Sequence, residues 1–305
     1  MVGKHDFRDP MRPVQMPAWT YIRSWLRIVP QTKLPLTWSL RAAQAAARLR
    51  MVTRPRLHGH VRQAIRVITD ESLTERTLRC YISRAIAVRR MGGHTYAPVS
   101  RRSRQWLLRA LRPEGIERLE RLRAEGCGVI VLGTHVGLSG WVGPVLRGLG
   151  YPVKLLQRKR VAPETLLLLR RDGWLGEVLP YPSDKDAGPH LKKLHELLLS
   201  GSWLQHSADY GGAAGLSGRY FGRQVRCYRA PWALSRLTGA PAVPVLILSD
   251  ERMRARMIVG PVLRVPADGP AQEAMQRALQ TYLDFVVAHV GPWPWNMTRP
   301  DWVQG

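Results

Sequence analysis

The chain has 305 residues, enough to bury a sizeable core as one large domain or as one domain with a helical extension. Its 47 Lys+Arg against 22 Asp+Glu give a formal charge of +25, a field that attracts polyanions such as nucleic acid, an anionic bilayer or an acidic carrier protein. Three scattered cysteines, Cys80, Cys127 and Cys227, exclude a disulfide framework and a thiolate metal site, and they suit a reducing compartment.

The chain opens on charges and prolines where a secretory leader would be apolar, so no signal peptide is expected. Residues 1–56, rich in Arg, Trp and Pro, predict an N-terminal arm that is either irregular or interfacial. In the interfacial case Trp19, Trp25 and Trp38 sit at headgroup level beside Arg23, Arg27 and Arg41. Residues 57–91 predict helices. Val61, Ile65 and Ile68 share one face, then Ser72-x-x-Glu75 forms a capping box for a second helix carrying Leu78, Ile82 and Ile86, and Gly92-Gly93 ends it. Leu107 to Leu111, and then Ile116, Leu119 and Leu122, give further helical stripes.

From residue 126 strands alternate with helices. Val129–Leu132, Val153–Leu156, Val178–Leu179 and Trp203–Gln205 read as strands, separated by helices over Leu138–Leu149, Pro163–Arg170 and Pro189–Leu199. A helix over Ala230–Leu237, strands over Val243–Leu248 and Met253–Val259, and a long amphipathic helix over Ala271–Val290 complete the pattern. This order predicts an α/β fold: a mainly parallel sheet flanked by helices, with a helical N-terminal extension. It gives one α/β body over 57–290 and a Trp-rich tail over 291–305. Cys127 to Leu146 carries no formal charge and is long enough to span a bilayer, but its glycines, Pro144 and His135 fit strand, turn and helix better.

His135 closes the apolar run Gly128-Val-Ile-Val-Leu-Gly-Thr-His135 and stands where a strand hands over to a helix. Open α/β sheets place ligands at the carboxyl ends of their strands, and an imidazole there can take a proton from a hydroxyl. The same residue could instead serve only to hydrogen-bond the turn. Other motifs are absent or incomplete. Gly-Leu-Ser-Gly-Trp around Ser139 lacks the last glycine of a serine nucleophile elbow, and neither a phosphate loop nor a Gly-x-Gly-x-x-Gly follows a strand. His58 and His60 have no partner cluster nearby, so no metal is expected. Basic residues are dispersed on helix faces without a recognition motif, so no nucleic-acid partner is expected either.

Four segments in order resemble the late lipid A acyltransferases, the lauroyl/myristoyl branch of the lysophospholipid acyltransferase superfamily. Gly128 to His135 resembles their strand and catalytic histidine. Gly201-Ser-Trp-Leu-Gln-His-Ser-Ala-Asp-Tyr-Gly211, followed by Tyr220-Phe221-Gly222, is similar to their acidic-Gly segment and aromatic turn. Leu237-Thr-Gly-Ala-Pro-Ala-Val-Pro244 resembles a helix end entering a core strand, and Trp293-Pro-Trp295-Asn resembles the Trp-rich ending. The family pairs its histidine with an acid at the fifth position after it, which here is Gly140, and usually has an Asp where Ser207 stands.

The resemblance implies transfer of a fatty acyl group from an acyl-carrier-protein or CoA thioester to a hydroxyl of a glycolipid or related lipid, with His135 as general base and no cofactor. Asp209 is the first candidate for the missing acid and Asp172 the second, and an acid restored at Gly140 is expected to reach back to the imidazole. Arg158, Arg160 and Arg171 are expected either to face donor or acceptor phosphates or to form a solvated basic face. Gly137, two residues past His135, and Tyr210 and Phe221, within matching segments, are candidate substrate contacts, and backbone N–H groups at the glycine-rich start of the 138–149 helix are candidate oxyanion donors. The implied location is peripheral, on the cytoplasmic face of the inner membrane, with an anionic membrane surface, a carrier protein or CoA thioester and a lipid acceptor as partners. The alternative is a relative that kept the fold, lost turnover with the acid at Gly140, and binds lipid or a partner.

Overall fold

A five-residue run of Val, Ile, Leu and Gly with no polar side chain makes a strand that needs cover on both faces. Val129–Gly133 (β1) has it, every residue being buried. The computed structural model describes residue 22 and residues 35–53, 59–69, 73–94, 96–157, 163–174, 178–180, 187–209 and 215–297. Among these, β1 is central in a six-stranded sheet. The others are β2 (Val153–Gln157), β3 (Val178–Pro180), β4 (Trp203–Ser207), β7 (Ala242–Ser249) and β8 (Ala255–Val259), in the order β3-β2-β4-β1-β7-β8. All neighbours are parallel except β7 and β8.

Alternate strand residues feed two cores. Val129, Val131, Trp203, Val243 and Val245 face one side, where α1 (Leu36–Thr53), α2 (Gly59–Ile68), α3 (Glu75–His94), α4 (Arg104–Leu111), α5 (Ile116–Ala124), α6 (Val142–Gly148) and α7 (Pro163–Arg171) contribute side chains. Ile130, Leu132, Leu204, Ala242 and Leu246 face the other. That side is covered by α8 (Ala187–Leu199), α9 (Ala230–Thr238), α10 (Ala271–Val290) and the hairpin of β5 (Leu216–Tyr220) and β6 (Arg223–Cys227). The protein is therefore α/β, a mainly parallel sheet flanked by helices, with a helical N-terminal part.

Several boundaries differ from the sequence reading. The segment read as an arm contains α1, which packs on α3 and buries Leu36, Leu40 and Ala47. Its Ala- and Arg-rich middle forms helix by propensity while showing no broad apolar stripe. Trp38 on this helix is exposed, whereas Trp19 and Trp25 lie outside the described residues. The cap of α3 is Thr74, whose hydroxyl accepts from the Thr77 N–H at 3.3 Å, and Ser72 lies outside the described residues. The helix runs on through Gly92 to His94, because Gly92 packs flush against the backbone of Leu138.

The β5–β6 hairpin was not anticipated as strands. Phe221 and Gly222 form its two-residue turn with φ of 46° and 74°, the left-handed geometry that matches strand twist. Cys127 to Leu146 divides into β1, a loop, a 3₁₀ turn over Ser139–Trp141 and the start of α6, which begins later than expected. Among the described residues no helix is long and apolar enough to cross a membrane.

Candidate active site

Parallel β1 and β4 lie side by side with Gly133 opposite Ser207 at their carboxyl ends. The chain leaves β1 for the face carrying α6 and leaves β4 for the face carrying the hairpin and α9. Where connections diverge to opposite faces, the region beyond the two strand ends is the place where open α/β sheets hold ligands. His135 lies two residues beyond Gly133 and Asp209 two beyond Ser207, so in-register pairing brings the two side chains together beyond the strand ends.

The contact is specific. Asp209 Oδ1 lies 3.0 Å from His135 Nδ1, while Oδ2 accepts the His135 backbone N–H at 2.5 Å and the Thr134 hydroxyl at 2.6 Å. An ionised carboxylate only accepts hydrogen bonds, so Nδ1 holds the ring proton and Nε2 carries the lone pair. The His135 side chain is 31% exposed and that of Asp209 11%, which makes the imidazole the member of the pair that solvent reaches.

Burial pushes the Asp209 carboxyl up. The hydrogen bond and charge of His135, the Thr134 hydroxyl and the His135 N–H outweigh it and hold the group below the ordinary carboxylate range. The nearby acids stay protonated. Burial, together with the charge of Asp209, pushes the Cys227 thiol up to about 12 and the Tyr220 and Tyr282 phenols well above their ordinary value. Tyr282 donates to the Gly133 carbonyl at 3.2 Å, bracing the end of β1. His206, on β4, is different in kind: it is buried, 2.6 Å from the Ser207 carbonyl through Nδ1, and burial drags its pKa down to about 4. It is a neutral core histidine.

The loop after His135 is locked by the C-terminal segment. Gly137, at φ 59°, donates its N–H to the Asn296 carbonyl at 2.6 Å, and a Cβ there would come within 2.3 Å of the Ile247 carbonyl oxygen. Leu138 donates to that same carbonyl at 2.7 Å. The Asn296 side chain accepts from the Ser249 N–H at 2.7 Å and donates to the Ser249 carbonyl at 2.9 Å, where the Trp295 indole also donates. The Gly137 and Leu138 N–H groups are thus already engaged, which removes Leu138 from the helix-start N–H groups expected as oxyanion donors.

Gly140 has no room for an acid. A Cβ on it would stand 2.3 Å from the Gly92 carbonyl oxygen, and one on Gly92 would stand 2.5 Å from the Leu138 Cα. The expectation that a restored acid at Gly140 reaches the imidazole is overturned by this backbone-to-backbone packing of α3 on the loop. Asp172 is engaged elsewhere: its carboxylate is 1% exposed and pairs with Arg171 at 3.1 Å and Arg101 at 3.3 Å, and it also accepts from the Ser100 hydroxyl. Arg171 is accordingly spent on neutralising a buried acid. Phe221 sits at the hairpin tip with its ring 4.8 Å from that of Tyr220, and Arg158, Arg160, Tyr210 and His58 lie outside the described residues.

The structure joins His135 with Asp209 and adds Thr134, Tyr282 and Asn296, which sequence reasoning did not single out. Thr134 adjoins the histidine, Asn296 closes the Trp-rich motif, and Tyr282 is indistinguishable from any core residue of an amphipathic helix. No protein-family model matches the chain, and no curated protein matches it.

Proposed function

We propose that this site transfers an acyl group from a thioester donor to a hydroxyl of a glycolipid or related lipid. His135 acts as the general base and Asp209 orients it. The observation that carries the base assignment is the three-point hold of Asp209 on Thr134 and His135, which fixes the ring and its tautomer. The thioester donor and lipid acceptor rest on the resemblance of the four segments to the late lipid A acyltransferases. In this reading Nε2 takes the proton of the acceptor hydroxyl as its oxygen adds to the thioester carbonyl carbon. The tetrahedral adduct then collapses, the carbon–sulfur bond breaks, and the departing thiolate takes the proton back from the imidazolium. The carboxylate of Asp209 stabilises the ring while it is charged.

The placing of Asp209 supports an active enzyme over a relative that lost turnover with the acid at Gly140. The charge of +25 supports peripheral attachment to the anionic cytoplasmic face of the inner membrane and docking of an acidic carrier protein. The test is thiol release by the purified protein from acyl-carrier-protein and acyl-CoA donors in the presence of glycolipid acceptors, beside His135→Ala. The expected loss on substitution is about 10²–10⁴-fold, the span of general-base contributions. A wild-type protein that consumes neither donor would overturn the reaction class, and a substituted protein within about tenfold of wild type would overturn His135 as base.

A further inference from the structure

A second site lies two strands across the sheet from His135. Ala255 begins β8 and pairs with Ser249 at the end of β7, so this corner lies at the same end of the sheet as His135. Between β8, the end of α4 and the start of α1 is a cavity of ≈ 350 Å³, within the range of about 300–1,000 Å³ that small-ligand sites occupy. Among the described residues four arginines line it, Arg109, Arg112, Arg254 and Arg256, and no acid does. Two of the charges are compensated from outside, Arg254 by Asp250 at 2.7 Å and Arg256 by Glu114 at 2.6 Å. The guanidiniums of Arg109 and Arg112 have no ion pair among the described residues, and the buried Nε of Arg256 has no hydrogen-bond partner there. Thr37, in the first turn of α1, also lines the cavity, and that turn contains no acidic side chain to cap its N–H groups. Trp106 supplies an apolar wall.

We propose that this cavity binds a phosphoryl group. Two guanidiniums without an ion pair among the described residues match the charge of about −1.5 to −2 on a phosphate monoester better than the single charge of a carboxylate, and their planar forks suit its oxygens. The group belongs either to a soluble phosphate ester or to a lipid headgroup. This assignment does not depend on acyl transfer, and its test measures binding alone.

Calorimetric titration of the full chain with inorganic pyrophosphate is expected to give saturable binding, with acetate at least tenfold weaker. The Arg109→Gln/Arg112→Asn double variant is expected to bind pyrophosphate at least about tenfold more weakly, since charge-assisted hydrogen bonds are lost. Asn is chosen at 112 because Arg112 has φ 43°, a conformation Asn tolerates. Arg277→Gln, on α10 over the other core, is the control and is expected to bind as wild type does. Flotation with phosphatidylcholine vesicles carrying phosphatidic acid identifies the source. Selective loss of flotation by the double variant assigns a lipid headgroup, whereas flotation unchanged alongside weakened titration by pyrophosphate and CoA assigns a soluble ester. Absence of pyrophosphate binding, or equal binding by a folded double variant, overturns the site.

Discussion

Asp209 keeps its charge in a buried place only because three donors converge on it, and its substitution by Asn has a defined consequence. The Asn carbonyl can still accept from Thr134 and from the backbone, but its amide then presents N–H groups to Nδ1. That forces the ring proton onto Nε2 and removes the base. Asp209→Asn is therefore expected to lower turnover by about 10²–10⁴-fold at neutral pH while leaving the fold intact, checked by thiol release and circular dichroism. The same residue gives a pH dependence of stability. Its carboxyl is held below the ordinary range in the folded protein, so the folded state takes up this proton less readily than the unfolded one. That stabilisation is complete above the unfolded value of about 3.9 and is lost as pH falls through the lower folded value. Thermal melts should accordingly show wild type losing its advantage over Asp209→Asn below about pH 4, and a gap that persists unchanged there would contradict the charge assignment.

At the scale of elements, the site is a product of packing between pieces distant in sequence. The fifth position after His135 is glycine because α3 presses its Gly92 carbonyl against it. Gly140→Asp is expected to destabilise the protein by about 1–3 kcal/mol in urea titrations, as overpacking does, without raising turnover. A gain in activity would mean that the loop moves away from α3. Asn296 pairs both backbone groups of Ser249 and its own carbonyl holds Gly137. Asn296→Ala leaves buried partners unsatisfied and should cost about 1–3 kcal/mol of stability and reduce turnover with it. The sheet strands were legible because each apolar run is bounded by turn residues. The helix α1 was missed, since Ala-rich composition hides a narrow buried stripe, and α3 was ended too early, since glycine inside a helix reads as a stop until its packing partner is known. His135 was legible from its place after β1, and Asp209 as a candidate acid. The hold of Thr134 and the brace of Asn296 were not, because they depend on a parallel register between β1 and β4 and on where the C-terminal segment returns, which no local pattern encodes.

For the whole molecule, the peripheral attachment proposed above rests on the charge of +25 and would be governed by electrostatics, aided by exposed apolar side chains. Trp38 and Leu49 on α1 are 66% and 69% exposed and would supply the apolar part of that contact. Sedimentation with anionic vesicles should fall steeply as salt rises, and Trp38→Asp/Leu49→Asp should weaken it further, whereas attachment surviving high salt and alkaline wash would indicate an integral anchor. The central claim is that Asp209 acts through His135, and a double-mutant cycle on thiol release tests it most directly, using wild type, Asp209→Asn, His135→Ala and the combined variant. If the two residues work as one unit, the combined variant should be about as slow as His135→Ala alone. Losses that multiply, or an Asp209→Asn protein as fast as wild type, would contradict the account.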